Sequence, residues 1–156
     1  MKHFTTQEEK EMDKLITSED FTHARNFSKK LSGVYEEIEK ELEAWLPNLK
    51  IYVSPQGEIS LWSKRGHGIH TPFDTPINVG GMMLHETRWL VWVNKEIEKV
   101  NNEPDEYFWC TTCGKVQPKE NYKASVFAGY YCKDCYDNDE AIQRLVKHSN
   151  EPGFYD

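Results

Sequence analysis

Residues 110–135 read CTTCGKVQPKENYKASVFAGYYCKDC, and all four cysteines of the chain lie in this stretch: Cys110, Cys113, Cys132 and Cys135. The spacing is C-x2-C, eighteen residues, then C-x2-C. Two residues between cysteines let both sulfurs turn toward one metal ion, and two such pairs complete a tetrahedron with no position left for a substrate. Gly114 follows Cys113 and supplies the positive φ that a tight knuckle of amides around a sulfur needs. Two disulfides and a redox CxxC are the competing readings. The start of the chain, MKHFTTQEEKEMDK, has no apolar signal stretch, which argues against disulfides and leads us to expect a cytoplasmic setting. A redox CxxC usually accompanies a βαβ unit, and neither pair does so here. One structural zinc ion is the expected cofactor.

Outward from the first pair, residues 114–131 read as a hairpin, with turn candidates at Gln117–Asn121 and at Gly129. Tyr122, Val126, Phe127, Tyr130 and Tyr131 are the residues expected to cover the metal. After Cys135, Asp137 with Glu140 has the form of a capping box, and Ala141, Ile142, Leu145 and Val146 give a helical stripe. A knuckle, a hairpin and a helix that carries the second pair near its start resemble a treble-clef zinc finger. The pattern also looks like the small CxxCGK…CxxC fingers of phage and mobile-element proteins. The resemblance covers about residues 107–148 and implies a fold and a metal held by the four cysteines, not a partner. Nucleases of the HNH type share this scaffold but place catalytic histidines on the hairpin and helix. Residues 114–131 contain no histidine and only His148 is near, so that activity is not expected.

The rest of the chain predicts an α+β protein, with a helical and β-hairpin body over residues 1–103 and the finger over 104–156, separated at Asn101-Asn102-Glu103-Pro104. Thr5 and Glu8 form a capping box that opens a helix to about Ile16, and Ser18 is placed to cap a second. From there Phe21, Ala24, Phe27, Leu31, Val34, Ile38, Leu42, Trp45 and Leu49 make one helical stripe, with a kink expected at Ser32-Gly33 and an end at Pro47. LKIYVSPQGEISLW reads as a hairpin around the turn Ser54–Gly57, with Trp62 expected against the helical stripe. Residues 64–81 show no periodicity and read as a long loop. Residues 82–100 suit a helix better than a strand, with Met82, Trp89, Val93, Ile97 and Val100 on one side. Trp109 is the residue expected to join finger to body.

The 156 residues include 26 acidic and 19 basic side chains, a net charge of −7. Segments 1–50, 51–100 and 101–156 carry −3, 0 and −4. No segment is strongly basic, which disfavours a phosphate-gripping protein, and no apolar run is long enough to span a bilayer. The acidic face Glu36, Glu37, Glu39, Glu41 and Glu43 reads either as a solvated face or as a docking surface for a basic protein. Within the finger, Lys115, Lys119, Lys123 and Lys133 outnumber Glu120 and Asp134, and with Tyr122, Phe127 and Tyr130 they would allow nucleic-acid contact through Lys119 and Lys123. His67, His70, Asp74 and His85 could form a second metal site or an acid–base cluster, although their spacing matches no motif. The leading functional expectation is a non-enzymatic binding protein, of a phage or mobile-element accessory kind, that binds or inhibits a host or defence protein. A nucleic-acid-binding regulator and a metal-dependent enzyme using the His67–His85 region are the alternatives. The sequence is silent on oligomeric state.

Overall fold

The computed structural model describes residues 4–28, 35–126 and 129–149. The protein is α+β, with helices α1 (Thr6–Leu15), α2 (Ser18–Ser28) and α3 (Tyr35–Trp45), strands β1 (Leu49–Val53), β2 (Ile59–Ser63) and β3 (Gly68–Ile69), helix α4 (Leu84–Asn102), strands β4 (Tyr107–Cys110), β5 (Lys115–Pro118), β6 (Tyr122–Val126) and β7 (Gly129–Cys132), and helices α5 (Lys133–Asp137) and α6 (Glu140–Ser149). Thr5 and Glu8 close the capping box at α1: the Glu8 amide donates to Thr5 Oγ1 at 3.1 Å and the Thr5 amide to Glu8 Oε1 at 3.0 Å. Helix α2 begins at Ser18, but its cap is Thr17 rather than Ser18. The Thr17 amide donates to Asp20 Oδ2 at 2.8 Å and the Asp20 amide reaches back to Thr17 Oγ1. The expected stripe appears as Ala24 and Phe27 on α2 and Ile38 and Leu42 on α3, all buried. Leu31, Ser32, Gly33 and Val34 lie outside the described residues. Leu49 is not helical, because the chain breaks at Pro47 and Leu49 opens β1.

Strands β1 and β2 pair antiparallel around Ser54–Gly57, with Val53 opposite Ile59 and Leu49 opposite Ser63. The Gly57 amide donates to the Ser54 carbonyl at 2.9 Å, and Gly57 takes φ +85°, a left-handed conformation that closes such hairpins without strain in glycine. Alternation is strict: Leu49, Ile51, Val53, Ile59 and Leu61 enter the core while Lys50, Tyr52 and Ser60 are exposed. Trp62 therefore stands on the outer face, across from Gly68, and not against the helices as its hydrophobicity led us to expect. Residues 64–81 are also more ordered than a loop. Gly68–Ile69 adds a third strand to β2, Val79–Gly81 forms a 3₁₀ turn, and Ile69, Ile77 and Val79 are buried. The missed signal was short: single buried apolar residues separated by turns carry no period.

Helix α4 runs through the middle of the core. Trp89, Leu90, Trp92, Val93, Ile97 and Val100 are all buried, an arc wider than one surface stripe. It starts at Leu84, where the Met83 amide donates to Glu86 Oε1 at 2.7 Å, and leaves Met83 and Leu84 exposed. Phe4 sits edge-on to Trp92, with ring centroids 5.1 Å apart, and Trp109 from β4 is buried in the same core, 6.4 Å from Trp92. No helix among the described residues is long and apolar enough to cross a membrane.

Strand β1 is an edge of its sheet, and α3 covers that edge chemically. The Ile51 amide donates to Glu43 Oε1 at 3.0 Å and the Val53 amide to Glu39 Oε1 at 2.8 Å. The two carboxylates are one helical turn apart and the two amides are two residues apart, so these two outward N–H groups of the strand are paired. Glu36 and Glu37, one turn earlier, are exposed. Replacing Glu39 by Ala should therefore lower the unfolding free energy by about 1–2 kcal/mol, because it strands a strand amide. Glu37→Ala should stay within about 0.5 kcal/mol of the parent. Urea denaturation of the two variants side by side checks this.

Candidate metal centre

The cysteine-bearing stretch forms two hairpins instead of one, the first of them begun before Cys110. Strands β4 and β5 pair with Cys110 opposite Lys115, so the first cysteine pair is itself the turn of this hairpin. After a 3₁₀ turn at Lys119–Asn121 the chain crosses over, and β6 pairs with β7, Val126 opposite Gly129. Phe127 lies outside the described residues. The two hairpins are tied where the Thr111 amide donates to the Tyr130 carbonyl at 2.8 Å and the Tyr130 amide donates to Thr111 Oγ1 at 3.1 Å. Cys132 ends β7 and Cys135 lies in α5, a helix of 5 residues. The second pair thus straddles the end of β7 and a separate short helix. Asn138 and Asp139 intervene before α6, and Asp139, not Asp137, caps it: Oδ1 accepts from the Ala141 and Ile142 amides at 2.9 and 3.2 Å.

This arrangement places one ligand atom from each of Cys110, Cys113, Cys132 and Cys135 within 4.8 Å of all the others, a set able to hold a metal ion. The surrounding groups suit sulfur ligands. Gly114 takes φ +68°, and its amide donates to the Cys110 carbonyl at 2.9 Å, which turns the knuckle. The Cys132 amide donates to Cys110 Sγ at 3.4 Å, and Gln117 Nε2 to Cys113 Sγ at 3.5 Å. Such donors orient thiolates and spread their charge. Among the thiols themselves, Cys110 is drawn down to about 5, foremost by the hydrogen bond from the Cys113 thiol. Cys113 is pushed up for the converse reason, and Cys135 is pushed up to about 12, first by burial. One negative sulfur makes the next harder to ionise. A divalent cation at the centre of the four removes that penalty, so metal binding and deprotonation go together.

Phe108 and Tyr130 pack against the cysteines; Phe108 was not singled out in the sequence, although its place two residues before the first ligand was the available signal. Tyr131 turns the other way, joining Ile142 with Tyr136, Leu145 and Val146. Tyr122 is 39% exposed and meets Phe108 edge-on at 5.5 Å. Of the lysines in this region, Lys115 pairs with Glu8 at 2.8 Å, Lys119 pairs with Glu106 at 3.3 Å, and Lys123 sits over the Tyr136 ring at 5.3 Å.

No three of His67, His70, Asp74 and His85 are gathered closely enough to share a metal ion. His67 is half-buried against the Tyr130 ring, centroids 4.4 Å apart, and its Nδ1 is buried with no partner. His85 meets Phe73 at 5.0 Å, and His70 and Asp74 are exposed. Among the described residues the cysteines are the one group of three or more metal-ligating side chains gathered to that closeness. Comparison with protein-family models, curated proteins and solved structures finds no match to this chain.

Two outcomes follow from this geometry. Cys113→Ser should lose the bound metal and unfold residues 104–149, read by elemental mass spectrometry and by loss of amide-exchange protection there. Burial holds His67 below its ordinary value of 6.5, so below that pH the unfolded chain binds more protons than the folded one. Its contribution is complete above pH 6.5 and falls as the pH drops toward the folded value. His67→Phe, which keeps a ring against Tyr130, should gain relative to the parent as pH falls from 7.5 to 5.5, measured as the difference in urea midpoint.

Proposed function

We propose that this protein is a non-enzymatic binding protein whose C-terminal part is held in shape by one zinc ion. The observation that carries this is the closed set of four sulfurs. Soft thiolates in a tetrahedron suit zinc, and with all four positions supplied by protein no open site remains for substrate or activated water. The order of parts supports a treble-clef finger: a knuckle on β4–β5, a hairpin β6–β7, then Cys135 in the helical segment. On this reading residues 1–103 form the body and 104–156 the finger, with Trp109 inserted from one into the other. The partner class is a protein, and the spacing shared with phage and mobile-element fingers supports an accessory factor that binds or inhibits a host or defence protein. Of the acidic face, Glu36 and Glu37 are placed to meet such a partner, since Glu39 and Glu43 are engaged with β1. A nucleic-acid contact through the finger is less well supported, because Lys115 and Lys119 are each paired with a carboxylate of this chain.

Elemental mass spectrometry of the purified chain, before and after mild chelation, tests the reading. One zinc per chain that survives chelation is the expected outcome. A second, exchangeable metal would favour an enzyme, and an iron signal or no metal would refute the zinc assignment.

A further inference from the structure

The three-stranded sheet buries one face and leaves the other uncovered. On the outer face Lys50 stands directly opposite Trp62, and Tyr52 opposite Ser60, so the phenol and the indole are diagonal neighbours across β1 and β2. Diagonal positions are roughly 7–8 Å apart, within reach of aromatic side chains. Tyr52 is 47% exposed, one of few large hydrophobic side chains so open among the described residues. Trp62 is braced. Its Nε1 donates to Ser60 Oγ at 3.0 Å, and its six-membered ring lies across Gly68, three ring atoms 3.6–3.9 Å from where a Cβ would sit. The indole is therefore fixed with its polar atom already satisfied.

Cationic side chains lie beside both rings. Lys50 Nζ lies 5.8 Å from the Tyr52 ring centroid, and Lys64 and Arg65 form the exposed turn just past Trp62. No carboxylate of a described residue pairs with Lys50 or Lys64. Acidic groups at the margin include Glu58 at the hairpin end and Glu39 and Glu43 along the β1 edge, the latter two bonded to strand amides. Two neighbouring aromatic rings flanked by cations on an open sheet suit a strand of unpaired bases, which stack on the rings while the phosphates meet the lysines.

We propose that the outer face of the β1–β2–β3 sheet binds single-stranded nucleic acid, with Tyr52 and Trp62 stacking successive bases and Lys50 and Lys64 holding the backbone. This site goes beyond the zinc-finger reading and does not depend on it. The test is fluorescence anisotropy of a labelled oligothymidylate with the full, zinc-loaded chain. Binding should be present at low salt and weaken steadily as salt rises. Tyr52→Ala should cost roughly 5- to 150-fold, the range for losing one stacked base. Lys50→Glu with Lys64→Glu should weaken binding further and flatten its salt dependence. Tyr52 and both lysines are exposed, so these variants remain informative even if Trp62→Ala folds poorly. Zinc content, measured on every sample, separates loss of this site from failure of the finger. No binding by the parent chain at low salt would overturn the proposal. So would loss of binding with Lys119→Glu and Lys123→Glu while Tyr52→Ala binds normally, or full displacement by polyglutamate at equal charge, which would make the face an acceptor for acidic proteins.

Discussion

Four sulfurs that must share one small volume are the constraint on which the C-terminal third depends. The apolar material there is thin: Phe108 with two buried cysteines in one cluster, and Tyr131 with Ile142 in another. A unit of this size buries too little surface to fold by packing alone, and cross-linking by a metal is the usual remedy. The metal site is also where the strands meet, since Cys110 ends β4 and Cys132 ends β7. A cation that joins those sulfurs fixes both hairpins and α5 at once.

The same region is fastened to the helical body from several sides. Trp109 is buried beside Trp92, Lys115 pairs with Glu8 while its ammonium lies 5.4 Å from the Phe4 ring centroid, and His67 packs on Tyr130. Each contact joins residues far apart in the chain, and they span α1, α4 and the β2–β3 turn. Trp109 sits one residue before Cys110, so order at the sulfurs and order in the core are linked through adjacent backbone. Electrostatics does comparable work at β1, where two carboxylates of α3 close a strand edge that would otherwise invite pairing with another chain.

The legible parts of the sequence were those with a local period or a fixed spacing. The α1 capping box, the β1–β2 hairpin with its Ser54–Gly57 turn, helix α4 and the cysteine cluster all follow from rules that operate within a few residues. What failed to show was decided by contacts between distant segments. Trp62 looked like a core residue, but register with β1 turned it outward. Glu39 and Glu43 looked like part of a uniform acidic face, but only the placement of β1 beside α3 shows that they hold strand amides. The crossover between β5 and β6 could not be told from a simple hairpin, because both need a turn near Gln117–Asn121. His67, His70, Asp74 and His85 are close in sequence, but His67 packs on Tyr130 while His85 packs on Phe73.

X-ray absorption spectroscopy at the zinc edge on the purified protein tests the closed four-sulfur centre most directly. The proposed zinc centre predicts a single shell of four sulfur neighbours at about 2.3 Å. A fit that requires a nitrogen or oxygen ligand, or fewer than four sulfurs, would contradict it and reopen the question of chemistry at the metal.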